Sequence, residues 1–86
     1  MKHLAAPDFW DCMDKLPETV QKQASNAFNL LKINPRHPSL SLKKIDKFRS
    51  VRIGLHYRAL AVEVDDALLW FWIGSHSDYD QLIAKL

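Results

Sequence analysis

Four side chains of this sequence could together move protons and hold a phosphate: Arg52 and Arg58 in the middle, His76 and Tyr79 near the C-terminus. Cleaving an RNA strand with its own 2′-hydroxyl needs a base for that proton and an acid for the leaving 5′-oxygen. It also needs cations for the extra charge on the pentavalent phosphorane. Histidine is the side-chain type suited to proton transfer near neutral pH. An arginine fork can hold two phosphate oxygens at once, whereas Lys43 and Lys44 offer point charges for anchoring more distant backbone. Arg49 belongs with these lysines as a candidate RNA contact.

Competing roles are open for the same residues. His76 could cap the last strand or pair with Asp78 or Asp80, and Arg58 could be the polar end of a core face, paired with Asp46 or Glu63. Trp70 and Trp72 fall on one side of a strand, with Phe71 and Ile73 on the other. Because the run Ala67 to Ile73 reads as buried on both sides, the tryptophans are expected in the core rather than stacked on bases. No metal or other cofactor is expected, since HSDYD offers one His and two Asp without a second cluster at ligand spacing. Gly54 and Gly74 lie too far apart for a phosphate-binding glycine loop. Cys12 is alone and reads as a small hydrophobe. His37 and His56 fall in expected turns and are assigned no role, and His3 suggests none.

Charge is distributed unevenly. Residues 1–20 carry a net −2, residues 21–64 carry +7 and residues 65–86 carry −3, within a total of +2. A basic middle between acidic ends favours a localised anion-binding face over a generally adhesive basic protein. With 86 residues and 48% hydrophobic content, the chain is expected to form one domain, residues 1–86, around one modest core. It contains no apolar run of the length a membrane span needs and no signal peptide, so the expected location is the cytoplasm.

The positioning elements follow from periodicity. Pro7 to Leu16 places Phe9, Met13 and Leu16 at helical spacing, and Pro17 opens a longer helix in which Val20, Ala24, Ala27, Phe28 and Leu31 form one stripe ending near Asn34. The short link makes these two helices an antiparallel hairpin. After Pro38 the period changes to two. Leu40 and Leu42 alternate with polar neighbours, then Val51 with Ile53, then YRALAVEV and ALLWFWI follow as β-rich runs. Links near Asp46-Lys47, Gly54 to His56 and Asp65-Asp66 are short enough to join antiparallel neighbours. The last strand stops on Gly74, and Ser75 with Asp78, or Ser77 with Asp80, starts a closing helix that ends near Leu86. The expected fold class is α+β: a helical hairpin on a four-stranded antiparallel sheet, with a short C-terminal helix.

Taken in order, the two helices, SVRIGLHYRAL and WFWIGSHSDYD resemble the RelE/ParE superfamily of bacterial toxins over nearly the whole chain. Tyr57-Arg58 at the opening of a strand, Arg52 on the strand before it, and the strand-end GSHSDY carry the resemblance. It implies a type II toxin encoded with an antitoxin that wraps it. Most RelE-like members cut mRNA in the ribosomal A site without a metal, whereas the ParE-like branch poisons DNA gyrase. By position, Arg58 matches the arginine that braces the scissile phosphate, and Arg52 matches a basic residue beside it. His76 sits where several nuclease members place a histidine or arginine. Tyr79 falls near a C-terminal aromatic that stacks on a base or assists proton transfer. A gyrase inhibitor without nuclease chemistry, or a non-toxic descendant that only binds an antitoxin, would share this outline. The family usually begins with a β-strand; Met1 to Ala6 is too short to give much of one, hence the expected count of four.

Overall fold

Prolines set both helix starts. The computed structural model describes residues 2–86. Pro7 supplies the pre-set φ of a first helical position for α1, Pro7–Asp14, and Pro17 caps α2, Glu18–Ile33. α1 stops two residues before the expected Leu16 because Pro17 cannot continue it. The open carbonyls of Met13 and Leu16 instead accept bonds of 3.1 Å from the Gln21 side-chain amide, which ties α1 to α2. The apolar stripe is buried as expected: Phe9, Val20, Ala24 and Leu31 join the core, and Phe28 meets both Phe9 and Trp70 edge-on.

The sheet has five strands rather than four, in the order β1-β5-β4-β3-β2. β2 spans Lys43–Ile45, β3 Phe48–Ile53, β4 Tyr57–Val64 and β5 Ala67–Ser75, all in antiparallel pairs joined by the three expected links. The added strand is β1, Lys2–Ala5, which runs parallel to β5 with Lys2 opposite Ala67 and Ala5 opposite Trp70. Its sequence, KHLA, has no alternation to betray it. β1 is a strand because the edge of β5 offers it unpaired backbone groups, a partner from the far end of the chain.

Two further expectations change. Leu40 does not start a strand. Pro38–Leu40 is a 3₁₀ turn, and Ser41 at φ 43° breaks the alternation, so pairing begins only at Lys43. Nor do Trp70 and Trp72 share a side. Opposite them, Leu60 faces Trp72 while its neighbour Ala61 faces Trp70, so Phe71 is the extra residue of a β-bulge that reverses the alternation. Trp70 and Ile73 therefore join α1 and α2 in the core, and Trp72 turns to the opposite face. The closing helix α3, His76–Ala84, starts as expected, with Ser75 accepting the backbone N–H of Asp78.

His3 has a role that the sequence did not suggest. Its Nδ1 accepts the indole N–H of buried Trp70 at 3.1 Å, which requires an unprotonated nitrogen. Burial, then the charge of Lys32, hold the imidazole below its ordinary value. A depressed folded-state value means that the unfolded chain takes up the proton first. Stability is thus fully present above about pH 6.5, the unfolded value, and is lost as pH falls from there through the lower folded-state value. Urea unfolding from about pH 7 to about pH 5 is expected to show this loss, and His3→Gln, whose carbonyl can still accept from Trp70, should flatten it.

Candidate active site

α1 and α2 cover one face of the sheet, so the chemistry falls to the other. Antiparallel partners share a face, and the register places Lys43 opposite Ser50, Ser50 opposite Leu60 and Arg52 opposite Arg58. Lys43, Ser50, Arg52 and Arg58 therefore stand together on the face away from the helices. Lys44 and Arg49 stand on the helix side, where Arg49 pairs with Glu63. The structure thus separates Arg49 and Lys44 from the candidate phosphate ligands.

Arg58 is only 3% exposed. Its Nε donates to the buried hydroxyl of Ser50 at 2.7 Å, one Nη donates to the Ser41 carbonyl at 3.0 Å, and its guanidinium lies 5.1 Å from the ring centre of Tyr79. All these partners are neutral. Glu63 is taken by Arg49, and among the described residues no carboxylate lies within ion-pair distance of Arg58 or Arg52. Burial pulls the Arg58 guanidinium below its ordinary value; Tyr79 draws it back up, Arg52 opposes this, and the more distant Asp80 carboxylate favours the charge slightly. An arginine nevertheless stays charged in a protein. Tyr79 also lies within hydrogen-bonding reach of the guanidinium, and at 3% exposure only a small edge of Arg58 meets solvent. The result is a fixed, mostly covered cation.

Arg52 sits directly across from it. β2 pairs only as far as Ser50, so β3 is an open edge at Arg52, whose Nε reaches over to the Ser39 carbonyl at 3.3 Å. Like charges on directly opposed positions destabilise a sheet. An anion bridging the two forks would relieve that.

The strand end completes the site. Its last backbone link joins His76 N–H to the His56 carbonyl at 2.7 Å. His76 Nδ1 lies 3.1 Å from an Asp80 carboxylate oxygen. A carboxylate only accepts, so Nδ1 carries the hydrogen, and in the neutral ring Nε2 keeps a free lone pair, the form a general base needs. The His76 ring meets Tyr79 at 5.8 Å, so Tyr79 links the histidine to Arg58. Tyr79 itself is buried, against Trp72 on one side and the guanidinium on another. It is placed to support the arginine and is not exposed for stacking on a base.

Gly74, opposite Arg58, allows this packing. A Cβ there would lie 2.6 Å from the Trp72 ring, which lies over the glycine on its way to Tyr79. Gly74→Ala is expected to cost about 1–3 kcal/mol by overpacking, read as a lower urea midpoint, and to displace Trp72 and Tyr79. Ser50 and Ser41 are the site residues that sequence reasoning missed. A signal existed for Ser50 alone: a small hydroxyl in the middle of the strand FRSVRI, where a buried apolar residue would be usual.

The family model for the ParE-like toxin domain matches residues 18–81. The chain belongs to the ParE-like toxin family. The match takes in every site residue named above and omits β1 and α1. No protein of curated function matches the chain in sequence. Solved structures share the fold of this ParE-like chain across nearly its whole length. The RelB–RelE antitoxin–toxin complex from Methanococcus jannaschii matches at 19% identity and a TM-score of 0.70, covering 91% of this chain and 96% of that one. The YoeB/ParE toxin from Agrobacterium tumefaciens matches at 14% and 0.68, covering 88% and 99%. The isolated Escherichia coli RelE toxin matches at 14% and 0.63, covering 98% and 96%. All three share the α+β fold of this chain, and none of the described helices is long and apolar enough to cross a membrane.

Proposed function

We propose that this ParE-like toxin cleaves mRNA on the ribosome, using the 2′-hydroxyl next to the scissile phosphate as nucleophile. The observation that supports this most is the pair Arg52 and Arg58, directly opposed, with no carboxylate of the described residues at ion-pair distance and with Arg58 buried against neutral hydrogen-bond partners. Like charges on directly opposed strand positions cost stability, and a phosphate is a ligand whose charge and geometry repay it. Arg58 then holds the non-bridging oxygens through the transition state, and Arg52 adds the second fork. His76, oriented by Asp80, takes or returns a proton at Nε2, and Tyr79 keeps the Arg58 plane in place. Lys43 lies on the same face for a flanking phosphate.

A cognate antitoxin is the proposed partner, in line with the RelB–RelE complexes among the structural relatives. Half-exposed Leu4 on the edge strand β1 and Trp10 on α1 offer it apolar surface.

Induced expression of wild type and His76→Gln, with mRNA ends and DNA breaks mapped in the same cells, tests the reading. Wild type should arrest growth and leave cut messages, and His76→Gln should lower cleavage by about 100- to 10,000-fold. DNA breaks with intact mRNA, and toxicity retained by His76→Gln, would instead identify a gyrase inhibitor. Normal growth with verified soluble protein would contradict any toxin role.

A further inference from the structure

The two site arginines are held by backbone carbonyls of one short segment. Arg52 Nε donates to the Ser39 carbonyl and Arg58 Nη donates to the Ser41 carbonyl. These oxygens point correctly only while residues 37–41 keep their shape. Leu40, 1% exposed, pins the segment to the core, and Ser41 N–H closes the turn on the Pro38 carbonyl at 3.1 Å. Ser41 then takes a left-handed backbone, φ 43°, a conformation that a serine holds only when its surroundings impose it.

His37 opens this turn. Its Nδ1 accepts the Ser39 N–H at 3.2 Å and lies 2.8 Å from the Ser39 hydroxyl. An imidazole nitrogen that accepts an N–H carries no hydrogen of its own, so the hydroxyl donates as well. One lone pair thus gathers both Ser39 donors, while the Ser39 carbonyl faces Arg52. Beside this side-chain cap, the turn is closed by Leu40 N–H on the His37 carbonyl at 3.1 Å and by Ser41 N–H on the Pro38 carbonyl.

We propose that the segment His37 to Ser41 is the positioning element for the arginine pair, with His37 as its key positioning residue. Resting on the phosphate reading above, it explains why a neutral cage suffices for Arg58: the turn supplies oriented dipoles where an acid would compete with the phosphate. The bond to Ser39 occupies only the Nε of Arg52, so among the described residues both its Nη groups stay available to an anion beside Arg58.

Two readouts test it on the intact protein. One is the arginine Nε–H region of the nitrogen–proton NMR spectrum. The other is the affinity for a single-stranded RNA oligonucleotide with 2′-O-methyl sugars, which lacks the nucleophile and cannot be cut. His37→Leu removes the acceptor, and His37→Asn restores a capping oxygen. The expected result is shifted Arg52 and Arg58 Nε–H signals and about three- to tenfold weaker binding in His37→Leu, with both recovered in His37→Asn. Unchanged arginine signals in a folded His37→Leu would overturn the proposal, as would a His37→Asn variant that recovers neither. Arg58→Lys serves as the control. If it binds the oligonucleotide as wild type does, the phosphate reading fails, and the arginine signals alone decide whether the turn orients the two side chains.

Discussion

Replacing Arg58 with lysine should reduce RNA cleavage by about 100- to 1,000-fold while leaving the protein folded, the loss typical of removing one oriented transition-state donor. Lysine keeps the charge but not the planar fork that reaches Ser50 and Ser41 at once beside Tyr79. Stability should respond with a different sign. A buried cation without an acid is a cost to the fold, so the paired variant Arg58→Met, Ser50→Ala, which removes the charge and the hydroxyl it satisfies, should unfold no more easily than wild type. Arg58→Met alone should be weaker, because Ser50 is fully buried and would lose its partner. A stability gain coupled with lost cleavage is the signature of a residue kept for function. An equilibrium urea series on the three proteins, run beside the cleavage assay, checks both halves. A paired variant well below wild type would show that Arg58 is chiefly structural.

The second large effect separates the two tryptophans of β5. Trp70 is 2% exposed between Phe28, His3 and the helices, so Trp70→Ala should cost about 3–5 kcal/mol. A chain of this size has only about 5–15 kcal/mol in total, so much of that variant would populate unfolded states under mild denaturant. Trp72→Ala should stay folded and lose activity instead, because Trp72 lies on the far face against Tyr79, which supports Arg58. The contrast tests the bulge at Phe71 directly. Equal destabilisation of both would mean that the tryptophans share the core, as plain alternation would have placed them.

That bulge also marks where sequence reasoning stops. Period-two patterning located β3, β4 and β5 and their links because each strand has buried neighbours on its own hairpin, a local signal. Whether Trp72 faces the core depends on one unpaired residue, and nothing in ALLWFWI distinguishes Phe71 from its neighbours. β1 was invisible for a related reason, since its pairing comes from residues at the other end of the chain. Arg52, Arg58, His76 and Tyr79 were legible by type and by family resemblance, and the sheet register brings them to one end. Their roles were less legible. Tyr79 could be read as a base-stacking platform until its ring was found covered, and Arg49 as a phosphate ligand until it was found beside Glu63. Ser41 and Ser39 act through backbone carbonyls, which side-chain identity does not announce.

The most direct test uses purified protein and ribosomes stalled on a defined mRNA, with the RNA ends identified chemically. Attack by the 2′-hydroxyl breaks the P–O5′ bond, leaving a 2′,3′-cyclic phosphate on one fragment and a 5′-hydroxyl on the other. The account predicts one such cut in the A-site codon, lost when that nucleotide is 2′-deoxy and strongly reduced by Arg58→Lys. An intact message under conditions where the same protein blocks DNA supercoiling by gyrase would contradict it.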